Sequence, residues 1–224
     1  SIVDSYFGKS SCYFVGSFVG YGHSYSNIEN CYSNATIVGW YYCGGIAGET
    51  KGTVSNCLYN GKIKSTRNSN AIATDYKSYG KLTNCYYNEN CGLSSSRATA
   101  VTAAQLSSGE VAYLLNGDQS AINWYQNVDK GEKDNAPTLN SEHYRVYKGD
   151  NIYTNDLDKH SHVYNNGICD ICNKACTHGK YKNGICTYCE YGVEEPQLVD
   201  NYYEIANYGN LIWFQQYVDT GNVN

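Results

Sequence analysis

Apolar residues in the first half of the chain come in short patches, three to five residues long, that glycine, asparagine and serine interrupt. Such patches are too short and too broken for an amphipathic helix, so they predict short strands. Residues 43–63, CGGIAGETKGTVSNCLYNGKI, show the pattern most clearly. One such stretch cannot bury its own apolar side, whereas stacked copies can share a continuous core.

The pattern recurs with a regular period. Cys31, Cys57 and Cys85 each follow an asparagine, and they are 26 and then 28 residues apart. A fainter copy places Ser5 another 26 residues before Cys31. A period in this range indicates stacked supersecondary units.

A second set of blocks, at residues 17–20, 45–48 and 71–74, keeps the same phase with spacings of 28 and 26. Recurrent glycine suits corners with positive φ or close backbone approach. Recurrent asparagine suits left-handed corners and side-chain ladders between coils. The sequence therefore predicts a mainly β fold, a right-handed parallel β-helix or solenoid with about 26 residues per coil.

A helical pattern follows the repeats. Thr102 with Gln105, and Ser107 with Glu110, have the spacing of capping boxes, and Gly117 is a helix stop. One predicted helix face carries the apolar residues Leu106, Ala112, Leu114 and Leu115. We expect this segment to cap the end of the solenoid, which would otherwise expose apolar core and unpaired backbone.

A tandem duplication near the C-terminus has the spacing of a metal site. Each half reads His or Cys, one residue, His, six or seven residues, then Cys-x-x-Cys. The eight candidate ligands are His160, His162, Cys169, Cys172, Cys176, His178, Cys186 and Cys189. Thiolate and imidazole are preferred zinc ligands, and four of them close a tetrahedral site to catalytic water. We therefore predict structural zinc, two ions in preference to one, supplying most of the module's folding free energy.

Two alternatives to paired zinc sites stay open. A single ion could take Cys169, Cys172, Cys186 and Cys189, which have a ribbon spacing. Disulfides are the other alternative, although five cysteines is an odd number and the His-x-His would be unexplained. The spacing does not decide whether two zinc sites are sequential or interleaved.

Six further cysteines lie in the repeats: Cys12, Cys31, Cys43, Cys57, Cys85 and Cys91. The three that share a phase are expected to be small buried core residues. Cys85 with Cys91 would close a short loop if oxidised, and the sequence leaves the oxidation state of all six open.

Composition narrows the choice of partners. The net charge is −5 without a basic run, which argues against nucleic acid. No apolar stretch approaches membrane-spanning length, and no signal peptide is present. The lack of methionine and a start inside a repeat lead us to expect a fragment of a longer chain with further domains.

The blocks CGGIAG at residues 43–48 and GTVSNC at 52–57 resemble the GLUG repeat of large bacterial surface proteins. The resemblance covers roughly residues 1–98 and is poorest over 70–90. GLUG repeats also occur beside the protease unit of immunoglobulin-A peptidases. The Cys/His doublet is similar to zinc-ribbon-like spacers in such proteins. The resemblance implies an extracellular or cell-surface location.

We expect four segments: GLUG-like solenoid 1–98, capping helix and irregular closing segment 99–150, tandem Cys/His zinc module 151–191, and a linker with the strand-helix start of a further module 192–224. In the last, a strand is predicted at Tyr202, and one helix face carries Leu211, Phe214 and Val218.

The expected function is a non-catalytic structural or adhesive module of a secreted or cell-surface protein. A tyrosine-rich face can stack on sugar rings, so the partner is a glycan or a host surface protein. No metalloprotease, serine-hydrolase or phosphate-loop motif is present, so we do not expect an enzyme.

The first alternative function is a carbohydrate-active β-helix enzyme, a lyase or hydrolase. Glu49 and Asp75 follow equivalent blocks, so a parallel stack would place them one strand spacing apart, about 5 Å. Two carboxylates at that distance can divide the roles of acid and nucleophile, as in retaining glycosidases. The second alternative is an accessory domain of a larger surface peptidase.

Overall fold

The computed structural model describes residues 1–65, 67–75, 80–117, 119–159, 161–162, 164–165, 168–169, 171, 181–182, 185–186, 194–206, 208–219 and 221. Two compact units divide the chain, residues 1–160 and 161–224. Strands dominate both units, and helices are few.

The first unit is built on short parallel strands. In chain order they are β1 Tyr6–Gly8, β2 Tyr13–Val15, β3 Val19–Gly22, β4 Asn27–Glu29, β5 Tyr32–Ser33, β6 Thr36–Val38, β7 Tyr41–Cys43, β8 Ala47–Thr50, β9 Thr53–Ser55, β10 Leu58–Tyr59, β11 Lys62–Lys64, β12 Ala73–Asp75, β13 Lys81–Thr83, β14 Tyr86–Asn88 and β15 Thr99–Val101. Glycine, asparagine and serine break the apolar patches between them, which keeps each strand to two to four residues.

Each strand pairs with the strand one period away along the chain. The parallel sheets have the orders β1-β6-β11, β2-β7, β3-β8-β12, β4-β9-β13 and β5-β10-β14-β15. Tyr32 pairs with Leu58 and Leu58 with Tyr86, while Val19 pairs with Ala47. These pairs confirm the predicted period and both sets of repeating blocks. The parallel sheets are consistent with a β-solenoid.

Asparagines form the corners and ladders that their recurrence predicts. Asn30, Asn56 and Asn84 all have left-handed backbones, with φ of 50°, 52° and 49°. Asn84 Nδ2 donates to Asn56 Oδ1 at 2.9 Å, and Asn88 Nδ2 donates to Asn60 Oδ1 at 2.8 Å. The side chains therefore link neighbouring coils at two positions.

The first strand is out of phase with the prediction. Tyr6 pairs with Thr36, an offset of 30 residues, so Ser5 lies one position before Thr36 and not beside Cys31. The backbone N–H of Thr36 donates to the Ser5 carbonyl at 2.8 Å. The predicted alignment of Ser5 with Cys31 is wrong, because this coil is longer than the short sequence match implied.

Two helices follow the stack: α1 Ala103–Ser108 and α2 Glu110–Asn116. The capping box of Thr102 and Gln105 at the start of α1 is confirmed. The box predicted from Ser107 and Glu110 is wrong, because Gly109, with φ of 92°, separates the helices and occupies the N-cap position of α2. A left-handed residue there costs glycine little.

The helices lie along the flank of one sheet and not across the end of the stack. A second apolar cluster joins them to that sheet and contains Leu58, Val101, Leu106, Val111, Leu115 and Trp124. Trp124 Nε1 donates to Asn30 Oδ1 at 3.1 Å, and Asn84 Nδ2 donates to the Leu114 carbonyl at 3.1 Å. Because Asn30 and Asn84 belong to different coils, the segment spans several coils, while β15 alone extends the edge of β14.

The rest of the first unit is largely irregular, as predicted. An antiparallel bridge joins Tyr125 to Thr138, and β16 Tyr147–Lys148 pairs antiparallel with β17 Tyr153–Thr154. Three residues, Leu157–Lys159, then form a short 3-10 helix.

The second unit contains three antiparallel hairpins and one helix. Its elements are β18 Tyr164–Asn165, β19 Ile168–Cys169, β20 Tyr181–Lys182, β21 Ile185–Cys186, β22 Gln197–Val199, β23 Tyr202–Glu204 and α3 Tyr208–Asp219. Residues 197–199 were expected in a linker, but β22 pairs with β23 across a turn at Asp200 and Asn201. Both turn residues have positive φ, the conformation that closes a tight hairpin.

The predicted apolar face of α3 is wrong. Its three residues, Leu211, Phe214 and Val218, are all more than a third exposed. The buried apolar residue is Ile212, and the ring of Tyr203 contacts those of Trp213 and Tyr217 at 5.1 and 5.6 Å. Aromatic contacts with the hairpin therefore set the orientation of the helix.

Gly45 leaves the space that the ring of Tyr59 fills. A methyl group on Gly45 would lie 2.2 Å from a ring carbon of Tyr59, which is fully buried. We expect Gly45→Ala to lower the free energy of unfolding by about 1–3 kcal/mol, since a packed core cannot absorb an added methyl. Urea denaturation followed by circular dichroism measures the effect. The same substitution in a Tyr59→Ala chain is the control and should cost little. Equal costs in the two backgrounds would contradict this packing.

Candidate functional site: an exposed aromatic face

Six aromatic residues gather on the outside of the strand stack. This aromatic face consists of Tyr13, Phe14, Tyr21, Trp40, Tyr41 and Tyr42. Four of them, Tyr13, Phe14, Tyr21 and Trp40, are between 38% and 51% exposed. Large rings are normally buried, so a contiguous exposed group points to a binding surface.

The backbone of β2 and β7 explains why neighbouring rings share this face. Phe14 and Tyr42 both have left-handed backbones, with φ of 54° and 53°. In a regular strand the side chains alternate, so one ring of each Tyr-Phe or Tyr-Tyr doublet would point inward. The left-handed residue breaks that alternation, and the next residues, Val15 and Cys43, become the buried ones. A left-handed backbone is strained in an aromatic residue and marks a place for functional inspection.

The rings contact one another across adjacent coils. Tyr13 and Tyr41 are paired in register, with ring centroids 6.1 Å apart. Phe14 and Tyr42 are stacked at 5.0 Å with an interplanar angle of 7°. Trp40 meets Tyr13 edge to face at 5.3 Å. Each ring is thereby held by another, so the face is ordered before a ligand arrives.

Polar groups border the rings. The Arg67 guanidinium lies 5.7 Å from the Trp40 ring centre, and the Lys51 ammonium lies 5.9 Å from that of Tyr21. Asn68 Nδ2 donates to the Tyr41 hydroxyl at 2.8 Å. The face therefore combines apolar ring surfaces with hydrogen-bond donors at its rim.

Sequence reasoning expected a tyrosine-rich face but did not identify this one. Many repeat tyrosines instead serve packing: Tyr59 and Tyr87 are buried in the core. Phe14 and Trp40 received no attention. The available signal was the doublets at residues 13–14 and 41–42, which are 28 residues apart and in phase with the repeat.

The predicted pairing of Glu49 with Asp75 is wrong. Glu49 is paired with Thr74, and Asp75 is paired with Thr50, because the register shifts after Ala73. Gly48 is the extra residue on β8, and the Thr74 hydroxyl donates to its carbonyl. A shift of one residue places paired positions on opposite sides of a strand. Glu49 is moreover buried, at 3% exposure, and is not a solvated corner residue.

Most of the predicted zinc ligands lie outside the described residues: His160, Cys172, Cys176, His178 and Cys189. His162 is described, Cys169 is buried in β19, and Cys186 lies in β21. Within the parts of the chain that are described, no three histidine, cysteine or acidic side chains form a metal-binding group. The zinc sites therefore stay a prediction.

The hairpins around those ligands repeat each other. Tyr164 pairs with Cys169 in the first half of the duplication, and Tyr181 pairs with Cys186 in the second. The first cysteine of each Cys-x-x-Cys thus occupies the same place at the end of a two-residue strand. The halves are duplicated in strand pairing as well as in sequence.

Comparison with known proteins agrees with the repeat architecture. A family model described as the GLUG motif matches residues 11–38, which hold β2 to β6 and half of the aromatic face. No curated protein and no solved structure matches the chain. The chain thus carries a GLUG motif, which is typical of extracellular repeat proteins.

The strand pairs extend the repeat beyond the matched residues. Tyr13 pairs with Tyr41 and Asn27 with Thr53, so the next coil repeats the matched one. In the described part of the chain, none of the helices combines the length and apolar character needed to cross a membrane.

Proposed function

We propose that the chain is a non-catalytic adhesive module of a secreted or cell-surface bacterial protein, and that its aromatic face binds glycan. In this proposal the first 98 residues form a right-handed parallel β-helix that displays the face. The observation that carries the proposal is the set of six aromatic rings, preordered by mutual contacts and only partly covered.

Glycan suits this face better than a protein partner does. A pyranose ring has an apolar side that lies flat on an aromatic ring, and hydroxyl groups around its rim. Tyr13 and Trp40 supply exposed rings, and Arg67 and Asn68 lie beside the same rings as donors. Neighbouring coils supply further rings, so successive sugars of one chain could be held at once, which raises the overall affinity.

We also propose that the tandem Cys/His segment is a structural zinc module with two ions. The repeated hairpin register supports this, because it presents Cys169 and Cys186 in the same way. Closed sites of this kind hold a small module together without supplying catalysis. The module would then serve as a rigid spacer.

The enzyme alternative loses its argument from carboxylate spacing. Glu49 faces Thr74 and Tyr21 across the strands, and Asp75 is not its partner. Fold likeness alone is a weak reason to assign catalysis.

Removing one exposed ring should weaken glycan binding. We expect Trp40→Ala or Tyr13→Ala to cost about 1–2 kcal/mol each, a fall in affinity of roughly 5- to 30-fold, because each loses a stacking surface. A microarray of bacterial and host polysaccharides identifies a binder, and calorimetry with that polysaccharide measures the affinity.

Tyr25→Ala is the matched control, because Tyr25 is 94% exposed and lies outside the aromatic face. Its affinity should equal that of the unchanged chain. Equal affinities for all variants would show that this face is not the binding site. Binding to a host matrix protein or immunoglobulin, but to no glycan, would replace the glycan by a protein partner.

A further inference from the structure

Three thiols form a column inside the strand stack. Cys31, Cys57 and Cys85 each precede one of the residues that pair in adjacent coils, so they occupy equivalent places one strand spacing apart. All three are free, Cys57 and Cys85 are buried, and Cys31 is half-buried. The column is independent of the aromatic face and of the predicted zinc ligands.

The three side chains adopt the same orientation. Each sulfur donates to the backbone carbonyl two residues earlier: Cys31 to Glu29 at 3.4 Å, Cys57 to Ser55 at 3.0 Å and Cys85 to Thr83 at 3.3 Å. Identical hydrogen bonds in identical coils imply that the sulfurs repeat at the strand spacing of about 4.8 Å.

That spacing favours a bridging ion over a disulfide. A disulfide would require the sulfurs to approach to about 2.05 Å. Two metal–thiolate bonds of about 2.3 Å, placed end to end, span about 4.6 Å. The column therefore matches a linear sulfur–metal–sulfur unit without movement of the coils.

We propose that Cys31 and Cys57 form a two-coordinate site for a soft monovalent cation, copper(I) or silver(I). Soft thiolate ligands select such ions over magnesium or calcium. Each of the two thiols releases its proton to solvent as its sulfur–metal bond forms, and no electron is transferred. Cys85 is then placed to donate its S–H to the bound sulfur of Cys57.

The protonation pattern of the column supports entry at Cys31. A hydrogen bond from the Cys57 thiol lowers the pKa of Cys31 to about 7, and this outweighs its partial burial. The neighbouring thiols and burial raise the pKa of Cys57. Cys31, which is the more accessible of the two, thus supplies the first thiolate, and the bound cation would then favour loss of the Cys57 proton.

Cys43 provides a matched control. It is fully buried in the same core, and its sulfur donates to the Tyr41 carbonyl, again two residues earlier. Its register partner in the preceding coil is Val15, and its backbone N–H accepts no thiol neighbour but donates to Ser69 Oγ. Cys43 thus shares the burial of Cys57 without the column.

The experiment is anaerobic copper(I) titration of the zinc-loaded full chain against bicinchoninate, with bound copper counted by native mass spectrometry. We expect Cys31→Ala and Cys57→Ala each to bind one fewer copper ion than the unchanged chain, and Cys43→Ala to bind the same number. Cys57→Ser, which keeps the side-chain size, guards against misfolding, and circular dichroism checks each variant. X-ray absorption should show the loss of a two-coordinate copper–sulfur signal in the same variants.

An unchanged copper count in folded Cys57→Ser would overturn the site. An equal loss in Cys43→Ala would overturn it as well, because the effect would then belong to any buried thiol. A disulfide between Cys31 and Cys57 in protein purified without reductant would also contradict the proposed geometry.

Discussion

Zinc removal is expected to unfold the tandem Cys/His segment while the parallel strand stack stays folded. The strands described there are only two residues long, and isolated hairpins of this kind are marginal in water. Metal binding to such modules carries an apparent free energy of about 10–16 kcal/mol, which then becomes the free energy of folding. Elemental analysis should find two zinc ions per chain, and hydrogen exchange after chelation should show lost protection across residues 158–191 only.

Single substitutions separate the possible arrangements of that segment. Cys169→Ser should release one zinc ion and leave the other in place if the sites are paired. Cys91→Ser, in the repeats, is the control and should release none. One zinc ion in the unchanged chain, lost entirely in Cys169→Ser, would indicate the four-cysteine ribbon. Absence of zinc together with oxidised thiols would replace both by disulfides.

Tyr59→Ala is expected to cost the strand stack about 3–5 kcal/mol, the cost of emptying the site of a large buried ring. Tyr59 is fully buried, and its hydroxyl donates to the Ala35 carbonyl at 2.7 Å. Its ring lies against Gly45, and Ala35 belongs to the preceding coil, so one side chain joins two coils. Urea denaturation followed by circular dichroism measures the loss.

Two further variants divide that cost. Tyr59→Phe removes only the hydroxyl and should cost about 1 kcal/mol, the net contribution of a typical hydrogen bond. Tyr25→Ala removes the same side chain from an exposed site and should change the free energy of unfolding by less than about 0.5 kcal/mol. Similar losses for Tyr25→Ala and Tyr59→Ala would mean that Tyr59 does not hold the coils together.

Local signals in the sequence determined the repeat. The period, the left-handed corners at Asn30, Asn56 and Asn84, and the capping box of Thr102 depend on a few neighbouring residues, so each could be predicted from the chain alone. The duplicated Cys-x-x-Cys hairpins are local in the same sense.

Tertiary structure alone decided which residues meet. The extra residue at Gly48 moved Asp75 away from Glu49, and counting along the chain cannot reveal such a shift. The α1 and α2 helices follow the flank of the stack because the outer side chains of that sheet, such as Leu58, offered an apolar surface there.

The aromatic face shows the same division. The doublets at residues 13–14 and 41–42 are visible in the sequence, but their common exposure depends on left-handed backbones at Phe14 and Tyr42. Strand periodicity predicts alternate sides for adjacent residues, and only the packed coils can hold a strained backbone that breaks the rule. The sequence by itself thus determined the repeating unit, and the stacking of those units decided which side chains form a binding surface.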